Sequence, residues 1–157
     1  MAKMTTNSTQ FVKALNTLIA LDFDAIEAYE AAIARLNEES DKAQLRRFLG
    51  DHQRHVVDLT PLVQDFGGEP ATKADFKQVL TKGKVVLAGM AGEHAVLEAM
   101  KSNEETTTKT YRSALEERDL PIQARTTLER NFSDEQRHLA WFEQRLAIAP
   151  REATAHR

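Results

Sequence analysis

Apolar residues recur three and four apart along four long stretches of the chain, the spacing of one buried helix face. In the first, Phe11, Leu15, Leu18, Ile19, Ile26, Tyr29, Ile33 and Leu36 predict a helix over about 8–38. Glu39, Ser40 and Asp41 read as a short turn, with Ser40 or Asp41 as N-cap of the next helix. The second helix carries Leu45, Phe48, Leu49, Val56, Leu59, Leu62 and Phe66, with a local bend at Pro61. It ends at Gly67-Gly68, ahead of Pro70. A short helix near 75–80 leads into the glycine-bearing stretch 83–92. The third long helix is expected over about 93–117, and the fourth from the Asp119–Pro121 signal to about 147. No segment alternates apolar and polar residues in the way a strand requires.

These elements predict an all-α four-helix bundle. Helices of ~25–30 residues are each roughly 40 Å long. The first and second are joined by a short turn, as are the third and fourth, so each pair is an antiparallel hairpin. The crossover over 69–92 is long enough to travel the length of the bundle. Residues 1–7 are expected to be a flexible N-terminus, 8–147 the bundle, and 148–157 a disordered tail.

Polar residues interrupt the apolar stripes at one level. Asp22 lies in the seam of the first helix, between Ile19 and Ile26. His52 and His55 share the inward face of the second, Glu104 that of the third, and Glu135 and His138 that of the fourth. Burying a lone carboxylate is costly, so such groups persist when paired or bound to metal. The expectation is a cluster of three carboxylates and three histidines in an apolar core. The pattern repeats between the hairpins. Asp22 precedes Tyr29 by seven residues as Glu104 precedes Tyr111, and His52-Gln-Arg-His55 matches Glu135-Gln-Arg-His138. Residues three apart share a helix face, so both side chains can reach one site. Such a pseudo-symmetric arrangement is what a dinuclear centre in a bundle requires. Tyr29 and Tyr111 are expected to hydrogen-bond the acids. Glu27, Asp51 and Glu105 read as solvated flank residues, and His94 as a capping or core residue beyond the cluster.

Composition narrows the chemistry. The 157 residues include no cysteine, which excludes disulfides, iron–sulfur clusters and thiol nucleophiles. A metal here must be held by nitrogen and oxygen, from five histidines and 24 acidic residues. The net charge of −3 lacks the basic stripe of a nucleic-acid binder. No apolar run approaches the ~20 residues that span a bilayer, and no signal-peptide core is present, so a cytoplasmic protein is expected. The stretch 83–92 lacks the order of a phosphate-binding loop, and close packing or a mobile crossover is expected there.

The segment DEQRHLAWFEQRL (134–146) is similar to the fourth-helix motif of bacterioferritins. DFDAIEAY (22–29) resembles their first-helix motif with aspartate for the usual glutamate, and NEETTTKTY (103–111) resembles the third helix of rubrerythrin-related proteins. Over 8–147 the chain thus resembles the ferritin-like superfamily, most of all small bacterial ferritin-like proteins of unassigned function. The resemblance implies a bundle that holds iron or a similar divalent transition metal at Asp22, His52, His55, Glu104, Glu135 and His138. It further implies a di-iron carboxylate type of site with oxidase or peroxide-related chemistry, and a homo-oligomer, dimer or larger.

The departures from the family matter as much. His52 stands where the family has a glutamate that bridges two metals, and imidazole does not bridge as a carboxylate does. That leaves a mononuclear, an asymmetric and a metal-altered site open, with His52 either a ligand or part of a histidine–carboxylate network. Gln53 stands where bacterioferritins carry the haem methionine, so no haem is expected, and no cysteine-ligated iron domain is present. The alternative function is a structural or stress-associated helical assembly with a degenerate site.

Overall fold

The computed structural model describes residues 6–76 and 92–155. The described residues form four long helices: α1 (Thr6–Arg35), α2 (Glu39–Asp65), α3 (Glu93–Leu115) and α4 (Ile122–Ala155). Among the described residues, a 3-10 turn, Lys73–Phe76, follows α2, and no strand occurs. The chain is an all-α four-helix bundle, as its apolar periodicity requires.

Two apolar layers fix the topology. One gathers Ala25, Ala28, Tyr29 and Ala32 from late α1 with Leu36 just beyond it, Leu45 and Phe48 from early α2, Val96, Leu97 and Met100 from early α3, and Phe142 and Leu146 from late α4. The other gathers Leu15, Leu18 and Ile19 from early α1, Leu59, Leu62 and Val63 from late α2, Tyr111 and Ala114 from late α3, and Ala124 and Leu128 from early α4. Hence α1 is antiparallel to α2 and α3, and α2 runs parallel to α3. Parallel neighbours in sequence need a connection that returns along the whole bundle, and residues 66–92 are that connection. Its stretch 77–91, with most of the expected short helix and nearly all of the glycine-bearing segment, lies outside the described residues.

Local chemistry explains the ends. Helix α2 closes in a Schellman motif: Gly68 N–H donates to Val63 O and Gly67 N–H to Gln64 O, both 2.9 Å. Gly67 has φ 79°, which favours glycine. Gly68 is required for a different reason, since a Cβ there would stand 2.5 Å from a Val12 methyl. Gly68→Ala should therefore lower stability by about 1–3 kcal/mol through overpacking, read by urea denaturation. Asn16 then ties the outgoing chain to α1, donating to Glu69 O at 2.9 Å and accepting from Ala71 N–H at 2.8 Å.

Two expectations at helix ends are corrected. Neither Ser40 nor Asp41 caps α2, which starts at Glu39 after Glu38 without a side-chain cap. The turn's N–H groups are served from another helix: Glu93, at the start of α3, accepts from Asn37 N–H and Glu38 N–H. Asp41 is instead buried in the first turn and takes Arg145 of α4 on both oxygens at 3.1 Å. Helix α4 also runs on through Pro150 to Ala155 rather than ending near 147. Alanine-rich sequence favours helix there despite the proline's missing donor.

Candidate metal centre

Between the two apolar layers lies one polar layer. Asp22 falls between Ile19 and Ala25 on α1, His52 and His55 between Phe48 and Leu59 on α2, and Glu104 between Met100 and Tyr111 on α3. Glu135 and His138 fall between Leu128 and Phe142 on α4. All six side chains are essentially removed from solvent. The structure brings all six residues singled out in the sequence into one cluster. They form two overlapping groups of four, Asp22–His52–His55–Glu135 and His52–Glu104–Glu135–His138, each with nitrogen and oxygen atoms within 4.8 Å of one another. His52 and Glu135 belong to both.

The internal contacts are uneven. The His52 ring spans the cluster, with Nδ1 donating to Asp22 Oδ1 at 2.8 Å and Nε2 to Glu104 Oε1 at 3.1 Å. His55 also donates from both nitrogens, Nδ1 to Asp22 Oδ1 at 3.2 Å and Nε2 to Asp134 Oδ2 at 3.0 Å. Tyr111 OH donates to Asp22 Oδ2 at 2.9 Å, and Tyr29 OH donates to Glu104 Oε1. Each tyrosine thus serves the acid of the other helix, which the repeat in the sequence could not specify. His138 donates from Nε2 to Asp51 Oδ2 at 2.8 Å, while Phe48 lies against its ring with centroids 4.1 Å apart.

Four buried atoms in this layer make no hydrogen bond: both oxygens of Glu135, Oε2 of Glu104 and Nδ1 of His138. Histidine nitrogens stand near Glu135 without bonding geometry, at 3.2 Å for His55 and 3.5 Å for His52. Orphaned buried polar atoms are rare and call for an explanation such as an ion.

A second ring of residues surrounds the cluster, and sequence reasoning missed most of it. Asp51 and Asp134 each precede a ligand-type residue in the matched segments DHQRH and DEQRH. Across the α2–α4 interface each takes the histidine of the opposite helix: His138 bonds Asp51, and His55 bonds Asp134. Arg137 pairs with Asp51 at 2.6 Å and with Asp134 at 3.2 Å, and Arg54 contacts the same two acids. Asp51 is therefore no free solvated flank residue. The extra aspartate in each segment was a usable signal.

Other flank expectations divide. Glu105 is exposed, as expected. Glu27 is buried and ion-paired with Lys73. His94 is neither cap nor core: its half-exposed side chain stands 3.6 Å from Glu98.

Burial and proximity set the protonation. Burial works against charge on His55, but the Asp134, Asp22 and Glu135 carboxylates outweigh it and push its pKa up to about 10. His138 is pushed up to about 9 against the same penalty by Asp51, Glu104 and Glu135. His52 is raised well above the usual imidazole range, its burial overcome by the charges of Glu135 and Glu104 and by its bond to Asp22. Burial opposes the charged form of Glu104, yet the His52 charge and neighbouring hydrogen bonds hold it well below the carboxylate range. Glu135 is raised, first by burial, and the adjacent Glu104 charge adds to that. Burial keeps Tyr29 and Tyr111 protonated as donors.

In the metal-free protein these histidines carry protons that the unfolded chain would release near pH 6.5. Their stabilisation is complete below that value and is lost as pH rises through about 9 and about 10. Urea midpoints of chelator-treated protein should thus fall steadily from pH 7 to pH 10.5.

The geometry can be set beside known proteins. Residues 10–117 match the family described as Domain of unknown function (DUF2383). The chain belongs to that family. The match takes in α1, α2 and α3 with Asp22, His52, His55 and Glu104, and stops short of α4 with Glu135 and His138. No curated protein matches the chain. Buried histidine and carboxylate groups able to hold a metal ion are what this family member shows.

Proposed function

We propose that this DUF2383 protein is a ferritin-like metal-binding protein that holds iron or a similar divalent transition metal in its bundle core. The ligand candidates are Asp22, His52, His55, Glu104, Glu135 and His138. The observation that carries this reading is the set of orphaned atoms on Glu104, Glu135 and His138, all buried and on residues of one donor cluster. Two carboxylates this close, with no hydrogen bond to one of them, are a poor way to stabilise a core and a good way to bind a cation. Mixed imidazole and carboxylate donors suit iron, zinc or other first-row ions.

A bound redox-active ion would supply electron transfer to dioxygen or peroxide. The chain's own residues orient the donors, since Asp51 fixes His138 with Nδ1 inward and Tyr29 fixes one oxygen of Glu104. The apolar layers above and below exclude water. Residue Gln53 gives no haem ligand, and an electron donor would come from outside the chain. No helix among the described residues is long and apolar enough to cross a membrane. We place the protein in the cytoplasm, as a homo-oligomer of two or more chains with no nucleic-acid partner.

The test is aerobic addition of ferrous iron, followed by ultraviolet absorbance, with elemental analysis of the desalted protein. Bound metal, with iron oxidation above the buffer rate, is expected. Protein that retains no metal overturns the reading and favours a structural bundle with a relic polar layer.

A further inference from the structure

The two overlapping groups of donors are not equivalent. In the Asp22 half, every inward atom of Asp22, His52 and His55 is already engaged, and only Glu135 Oε1, 3.2 Å from His55 Nδ1, is left over. Asp22 Oδ1 accepts from His52 and His55, its Oδ2 accepts from Tyr111, and both nitrogens of His55 are bonded to aspartates. An ion there would have to break several buried hydrogen bonds, each of which costs desolvation if left unmade. In the Glu104 half the reverse holds. Glu104 uses only Oε1, for Tyr29 and His52, and leaves Oε2 without a partner. His138 uses only Nε2 and leaves Nδ1. Glu135 brings its unbonded Oε2 to this half, beside His138 Nδ1.

His138 Nδ1 lies 3.7 Å from Glu135 Oε2. Donors bound to one ion at about 2.0–2.2 Å are separated from each other by roughly 3.0–3.6 Å, so a small inward shift brings this pair onto one ion. Glu104 and Glu135 together carry the charge that one divalent ion neutralises.

We propose that the chain binds a single divalent ion, held by Glu104 Oε2, Glu135 and His138 Nδ1, while His52 locks the Asp22–His55 half into hydrogen bonds that exclude a second ion. This rests on the metal-binding reading above and specifies it. His52 is a specificity-determining residue for ion number: its two nitrogens strap Asp22 to Glu104, where a carboxylate at the same position would offer a second pair of oxygens.

The experiment titrates Co2+ into the metal-free full-length protein. Bound cobalt is counted by elemental analysis, and an anomalous-scattering map is taken from crystals grown with the ion. One ion per chain, with one peak bounded by Glu104, Glu135 and His138, is expected. Glu104→Gln keeps the oxygen that Tyr29 and His52 use and replaces only the orphaned one, so its count should drop to near zero with the helical circular dichroism unchanged. His52→Glu should raise the count towards two. Two ions in the wild-type protein, a peak against Asp22 and His55, or an unchanged count in Glu104→Gln overturns the single-ion assignment while leaving metal binding standing. Zero ions in the wild type overturns both. If His52→Glu does not fold, the wild-type map and the Glu104→Gln count still decide.

Discussion

Saturating metal-free protein with a divalent transition metal should raise its melting temperature by about 8–16 °C, and a chelator should reverse the change. An ion that binds only the folded state at 1,000 times its Kd adds about 4.1 kcal/mol. For a chain of this size each kcal/mol moves the melting temperature by about 2–4 °C. The effect is expected to be this large because the donors and the residues that orient them come from all four helices, which must close together. Glu104 is on α3, Glu135 and His138 are on α4, and the partners that orient them, Tyr29 and Asp51, are on α1 and α2. An unfolded chain cannot reproduce that constellation. Scanning calorimetry with and without chelator is the measurement. An unchanged melting temperature would mean that metal plays no part in the fold.

Glu135→Gln should act with opposite signs in the two states. With metal, losing a charged donor costs at least about 100-fold in affinity, more than is typical for an outer partner. At the same metal concentration the stabilisation then falls from about 4 to no more than about 1.4 kcal/mol. Without metal the substitution should preserve or raise stability. The Glu135 carboxyl is pushed up by burial and by Glu104, so its ionised form opposes folding at neutral pH, and a neutral isostere removes that penalty. Paired melts with and without chelator check both arms. Equal shifts in both would favour a purely structural polar layer.

Much of the cluster was legible in sequence because helical periodicity is strict. A polar residue that replaces an apolar one at the same phase must face the same core, and Asp22, His52, His55, Glu104, Glu135 and His138 all do. The reading failed at residues whose surroundings come from another helix. Asp51 sits about 100° around α2 from His52, a flank position in isolation. Besides Arg54 on its own helix, it is held by His138 and Arg137, which α4 brings against it. Glu27 is buried through a partner in the 3-10 turn, and Asp41 through Arg145 on α4, for the same reason. Asp134 was visible as part of a repeated segment, but its partner His55 was not.

The sequence by itself determined four helices, the level of their polar residues and the exclusion of thiol chemistry, because each follows from local spacing or composition. Only the tertiary structure decided which atoms are used up and which are left over. Hydrogen bonds between helices consume Asp22 and His55 completely and leave one oxygen of Glu104, both of Glu135 and one nitrogen of His138 unpaired. A repeat in sequence predicts a symmetric site. The exchange of a carboxylate for an imidazole at position 52 breaks that symmetry, and its consequence appears only when four helices place their donors around one ring.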